Sequence, residues 1–275
     1  MKYVAFIDTL GFKNKLQSIS HEEAKTVIRS FNQEIFRLWQ RLGYNNDHAI
    51  KGRTFSDSLI IYTSDDKIPQ LKKLITFLIE IYRVSILRCD LSLRGGVAIG
   101  DYDDIKAIEF DNLQKGIVVG NAFIDAYALE SANDIKGSKI LFKQEIKLKI
   151  EKQIRNYAVR NITKDAKGNQ IWELKWADIT FLVENNYSSL RAFVDMACRS
   201  KWIDHYYGTL DTFLINESKE DKQDVYIKII DQISREYKHF DLDNFIENFM
   251  KSSCSSNLKK SFLAYIREKM SDPNT

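Results

Sequence analysis

The chain has 275 residues, enough for one ordinary domain with an appendage or for two small ones. Its 44% hydrophobic and 29% charged residues exclude a disordered chain, and a net charge of +3, from 41 basic against 38 acidic residues, gives no case for a nucleic-acid partner. Cys89, Cys198 and Cys254 are odd in number and show no CxxC spacing, which argues against a disulfide framework and a zinc site.

His21, His48, His205 and His239 are scattered, without metal-ligand spacing. The N-terminus enters a strand pattern at once, with no basic and apolar leader, and no apolar run approaches the ~18 residues of a membrane span. A cytoplasmic protein without a membrane partner is the expectation.

In chain order, Tyr3 to Thr9 predicts a buried strand and Gly11-Phe12 a tight turn. Ser20-His21-Glu22-Glu23 reads as a capping box for a helix to about Leu42, with Val27, Phe31, Ile35 and Leu38 on one face. Ala49 to Phe55 and Ser58 to Thr63 are strand runs joined near Asp57, a β-hairpin. A second long helix follows Ser64-Asp65-Asp66, with Pro69 in its first turn and Leu71, Leu74, Ile75, Leu78 and Ile81 at helical spacing. Leu91 to Ile99 is a strand containing Arg94-Gly95-Gly96. Asp101 to Lys115 is polar, and Asp101, Asp103 and Asp104 read as a solvated turn.

Ile117 to Val119 is a short strand run ending at Gly120, Asn121 to Ser131 a helix, and Lys139 to Phe142 a short strand. Beyond Glu145 the pattern is helical and charged, apart from strand-like Gln170 to Trp176 and Thr180 to Val183. From Ser188 to Met270 it is helical throughout. The order β-α-β-β-α-β is that of an α+β, ferredoxin-like split sheet. A boundary near residue 185 divides residues 1–185 from a helical C-terminal extension, 186–275.

Two carboxylates interrupt this apolar pattern: Asp8 within YVAFIDTLGF and Asp57 within RTFSDSLIIY. A charge in such a strand is costly unless it is paired or holds a metal. Two on neighbouring strands suit a two-metal site for phosphoryl chemistry.

Four segments together, FIDTLGF, FSDSLII, LRGGVAIG and VVGNAFIDAYALE, resemble the catalytic domain of class III nucleotide cyclases over roughly residues 3 to 131. The resemblance implies a class III cyclase core in residues 1–185. It implies Asp8 and Asp57 as metal ligands, with the backbone carbonyl of Thr9, for two Mn²⁺ or Mg²⁺ ions. It also implies Leu10, Gly11 and Phe12 as the turn whose N–H groups receive a triphosphate, and Arg94 as a phosphate-binding arginine. A nucleoside triphosphate substrate and a head-to-tail homodimer with two interface sites are implied in turn.

The chain departs from the purine cyclases at four places. Their ribose-orienting asparagine and transition-state arginine are Ile124 and Ala128 here. Their adenine-reading lysine is Arg53, and their acidic base reader is Ile117. The Arg94-Gly95-Gly96 strand and the helix from Val119 through Tyr127 to Glu130 are similar to those of Pycsar-type pyrimidine cyclases of bacterial anti-phage defence. On that likeness the substrate is UTP or CTP, and Arg53 is either a surface strand arginine or a donor to a pyrimidine carbonyl. Tyr127 is expected in the core and Glu130 as a cap or ion-pair partner. The rival expectations are a cyclase-fold sensor that binds a nucleotide without turnover and a polymerase palm; the near-neutral charge weighs against the palm.

Overall fold

The computed structural model describes residues 1–89, 91–106, 116–132, 135–154, 157, 159–165, 167–177, 208–209 and 212–213. The chain divides into two compact units, one of residues 1–134 with 139–176 and the other of 135–138 with 177–275. The expected strand at Thr180 to Val183 lies outside the described residues, as does nearly all of the expected helical extension. In the second unit the Ser138 N–H donates to Thr209 Oγ1 at 2.7 Å.

The first unit begins β1 (Lys2–Thr9), α1 (Phe12–Ser18), α2 (His21–Arg41), β2 (Ile50–Phe55), β3 (Ser58–Thr63), α3 (Ile68–Cys89) and β4 (Leu93–Gly100). It continues β5 (Asp103–Lys106), β6 (Gly116–Val119), α4 (Asn121–Glu130), β7 (Ile140–Lys143), α5 (Gln144–Gln153), β8 (Val159–Lys164) and β9 (Gln170–Leu174). The main sheet runs β2-β3-β1-β4-β7-β9-β8, and β5-β6 form a separate ribbon. All of its pairs are antiparallel except β4 with β7. The α+β expectation with a ferredoxin-like βαββαβ core is borne out in β1 to β4.

Local chemistry accounts for the long helices. Ser20 caps α2 reciprocally: its Oγ accepts the Glu23 N–H at 3.3 Å, and Glu23 Oε2 accepts the Ser20 N–H at 2.8 Å. In α3, Leu71, Leu74, Ile75, Leu78 and Ile81 are each 2% exposed or less. Burying each such side chain contributes about 1.5–3 kcal/mol, so packing rather than propensity holds this helix.

Three segments differ from the sequence expectation. The Gly11-Phe12 turn runs on into α1, which buries Phe12. The polar stretch after Gly100 contains β5, whose alternation is hidden by its aspartates. Val159–Lys164, read as charged helix, is an edge strand, β8, whose Arg160 pairs with the fully buried Glu173 of β9. A charged residue on an edge strand follows no apolar alternation, so the strand signal was absent.

Glycine sets how closely α4 approaches the sheet. A Cβ at Gly96 would stand 2.1 Å from the Ala126 carbonyl oxygen and 2.6 Å from the Leu129 Cβ. Gly95 faces the other side, where a Cβ would meet the Tyr82 hydroxyl of α3 at 2.9 Å. The paired glycines therefore let helices close on β4 from both faces. Gly96→Ala is expected to cost about 1–3 kcal/mol by overpacking, read as a lowered urea midpoint with an unchanged m-value. An unchanged midpoint would show that α4 is free to move outward.

Candidate active site

The end of β1 lies between two strands that fix its side chains. Ile7 pairs with Leu59 of β3, which brings the next residue, Asp8, to Ser58. The Ser58 Oγ donates to Asp8 Oδ1 at 2.6 Å, and the Thr9 Oγ1 donates to the Asp57 carbonyl at 3.0 Å. On the other side Asp8 pairs directly with Arg94 of β4. Asp57 sits in the two-residue Ser56-Asp57 turn of the β2–β3 hairpin. Ser56 holds φ 52 there, a left-handed conformation that costs a non-glycine residue about 1 kcal/mol or more. Asp8, Thr9, Asp57 and Arg94 are thus brought together at one end of the sheet.

The electrostatics are those of crowded acids. Burial raises the Asp57 carboxyl above its ordinary range, and the neighbouring charge of Asp8 raises it further. Glu130, at the end of α4, is raised by burial, opposed by Arg94 and reinforced by Asp8. Its Oε1 accepts from Arg94 Nη2 at 3.0 Å and Nε at 3.2 Å. This is the ion-pair role expected for Glu130, whereas Tyr127 departs from expectation and is half exposed.

Among the described residues no group of three or more His, Cys, Asp and Glu gathers as a metal centre. The oxygen donors gathered at this end of the sheet are the Asp8 and Asp57 carboxylates and neighbouring main-chain carbonyls. That all-oxygen, mutually repelling set fits a hard divalent cation such as Mg²⁺ or Mn²⁺, whose charge would relieve the cost of ionising Asp57.

In the turn expected to receive a triphosphate, one N–H already has a partner. The Leu10 N–H is engaged by the Ser92 carbonyl at 2.8 Å, so it serves the sheet. Gly11 holds φ 60, the left-handed conformation that turns the chain from β1 into α1. Arg53, on β2, is no free surface arginine. Its Nε donates to Asp104 Oδ2 at 2.9 Å, its Nη2 donates to Oδ1, and the Tyr62 hydroxyl donates to Oδ2 at 2.6 Å.

Asp104, expected in a solvated turn, is instead a largely buried acceptor on β5. Sequence reasoning missed Asp104, Tyr62 and Ser58 as partners of site residues. No local signal marked Asp104, because its partners Arg53 and Tyr62 lie 51 and 42 residues away in the chain.

No protein-family model matches the chain, and no curated protein matches it. Solved structures do. The chain is similar to the adenylyl cyclase CyaB from P. aeruginosa, at 18% identity and TM-score 0.49, covering 63% of this chain and 92% of that one. It is similar to the guanylate cyclase domain of RhGC from Catenaria anguillulae in complex with GTP, at 15% identity and TM-score 0.48, covering 63% and 94%. It is also similar to the dimeric guanylyl cyclase domain of the RhoGC fusion protein from the aquatic fungus Blastocladiella emersonii, at 15% identity and TM-score 0.47, covering 63% and 94%. Among the described residues no helix is long and apolar enough to cross a membrane.

A carboxyl whose pKa is higher folded than unfolded binds protons more tightly in the folded chain. Stability then falls as pH rises from the ordinary value of 3.8 through the raised folded value, and the deficit is complete above it. Metal-free Asp57→Asn is therefore expected to melt above wild type at pH 7, with the gain vanishing near pH 3. Mn²⁺ is expected to raise the melting temperature of wild type and leave that of the variant unmoved. Thermal melts across pH, with and without Mn²⁺, check both; a variant that melts below wild type at pH 7 refutes the repulsion.

Proposed function

We propose that the chain is a pyrimidine nucleotide cyclase, converting UTP or CTP to its 3′,5′-cyclic monophosphate with release of pyrophosphate. The observation that carries this is the convergence of Asp8 and Asp57, tied by the Thr9–Asp57 and Ser58–Asp8 hydrogen bonds, with Arg94 across the strand pair. Two Mg²⁺ or Mn²⁺ ions, held by Asp8, Asp57 and the Thr9 carbonyl, would favour ionisation of the ribose 3′-hydroxyl and neutralise phosphate charge.

The residues themselves do the rest. The ribose 3′-oxygen forms a bond to the α-phosphorus as the bond to pyrophosphate breaks, and the 3′-hydroxyl proton passes to solvent water. Arg94 presents its planar guanidinium to the phosphoryl oxygens, where charge builds. The turn at Gly11 and Phe12 lies beside the metal carboxylates and faces the triphosphate on this reading. Arg53, carrying its own carboxylate, supplies a donor for a base carbonyl while Asp104 supplies an acceptor for a base N–H.

The pyrimidine assignment is supported by the replacement of the purine enzymes' base-reading lysine and acidic residue with Arg53 and Ile117. The likeness to Pycsar-type enzymes supports a second-messenger role in anti-phage defence. A homodimer is supported by exposed apolar side chains on α4 and the β5–β6 ribbon, among them Ile117, Val119, Ile124 and Tyr127.

Incubation of the purified protein with Mn²⁺ and each of ATP, GTP, CTP and UTP is expected to give a cyclic pyrimidine nucleotide by mass spectrometry. Turnover of purines alone overturns the base assignment; binding without any product favours the sensor. Asp57→Ala is expected to abolish product with its circular dichroism spectrum intact, and near-normal activity in that variant sinks the metal site. Ile124→Glu is expected to shift the protein toward monomer by light scattering and lower activity at least about tenfold, the scale of one lost interfacial anchor.

A further inference from the structure

Arg94 and Glu130 come from different elements, β4 and α4, and meet largely out of water, their side chains 12% and 8% exposed. The meeting depends on Gly96, whose missing side chain lets α4 lie against β4. Asp8 stands opposite Arg94 in the β1–β4 register, so a second carboxylate lies on the same face of the sheet as that guanidinium. The Glu130 carboxyl feels the negative charge of Asp8, which places all three groups in one neighbourhood. The nearby cation Lys139 is committed elsewhere, its Nζ lying 2.6 Å from Glu173 Oε2. A guanidinium that loses one carboxylate is drawn toward another within reach, because the charge-assisted pair is strongest where water is excluded. Were that carboxylate Asp8, its charge would be spent before any cation arrived.

We infer that Glu130 is a positioning residue that holds the Arg94 guanidinium off Asp8, leaving that carboxylate free for a divalent cation and the guanidinium fixed toward phosphate. This rests on the metal-binding reading of Asp8 and Asp57. The alternative role is purely structural, a buried pair that ties α4 to β4. Metal affinity with and without Arg94 separates the two: a loss that comes from the Glu130 charge or from a structural tie persists when Arg94 is removed, whereas a loss that acts through Arg94 disappears with it.

The experiment titrates Mn²⁺, read from its free paramagnetic resonance signal, into wild type, E130Q, R94Q and the E130Q/R94Q double variant, each shown folded by its melting curve. E130Q is expected to bind Mn²⁺ about 10- to 100-fold more weakly, the usual effect of losing an outer-shell partner. R94Q is expected to bind within about threefold of wild type, and the double variant to return to the R94Q value. Wild-type affinity in E130Q, whatever its melting temperature, overturns the inference while leaving the metal site standing. So does a double variant that stays as weak as E130Q. Wild type that binds no Mn²⁺ brings down the metal reading itself and this inference with it. If E130Q does not fold, E130D replaces it: a few-fold loss of affinity reversed by R94Q supports the role, and unchanged affinity ends it.

Discussion

The register of β1 between β3 and β4 is the constraint on which the rest depends. Both neighbours are antiparallel; β4 pairs with β1 from Lys2 to Thr9, and β3 pairs with its middle, Val4 to Ile7. Side chains alternate with a period of two, so a slip of one residue would send Asp8 to the α3 face and Ile7 to the α4 face. The buried Tyr3, Ala5 and Ile7 oppose that slip from one side, and Val4 from the other. The position of Asp8 beside Ser58 and Arg94 is therefore secured by hydrophobic burial along the whole strand. Its own contacts contribute little to that choice, which lets the carboxylate stay poorly compensated.

Charge compensation then spreads sideways across the sheet. Arg94 leads to Glu130 on α4, and β7 begins beside it, where the Gly95 N–H donates to the Lys139 carbonyl at 2.9 Å. Lys139 pairs with Glu173 of β9, which also takes the Arg160 guanidinium of β8. Glu173 is fully buried, and a single cation withdrawn from it would leave an uncompensated charge in low dielectric. Cations and anions therefore alternate from the central strand to the edge. Among the described residues no ion pair reaches Asp57 on the hairpin side, where burial and the charge of Asp8 make an added cation favourable.

What could be read in the sequence was what local rules specify. The capping box at Ser20 and Glu23, the apolar spacing of α3 and the hairpin around Asp57 each lie within a short window, and each is present. The partners were not legible, because they are set by tertiary contact. Arg53 and Asp104 stand 51 residues apart and meet only once β5 folds over the β2–β3 hairpin. Asp104 also misled locally: an aspartate-rich stretch after glycine has the composition of a turn, yet Tyr102 beneath it packs against Tyr62 with ring centroids 4.7 Å apart. Burial of that tyrosine pair recruits β5 into order, against the propensity of its acidic residues. The extent of α1 was hidden for a related reason, since one buried residue, Phe12, anchors it.

The outer face of α4 bears on how a base is chosen under the proposed function. Ile124 and Ala128 are exposed and carry no polar group, so neither supplies a hydrogen bond to ribose, phosphate or base. A guanidinium fixed by its own carboxylate differs from a free one in a way that matters here. Arg53 offers a donor and Asp104 an acceptor in fixed relation, with the Tyr62 hydroxyl holding the acid in place. The edge of uracil presents a carbonyl beside an N–H, so it can join such a pair without breaking it, and a base such as adenine, which has no carbonyl, leaves the guanidinium unpaired. Discrimination would then come from a pre-formed polar pair on the hairpin, and α4 would be left to pack.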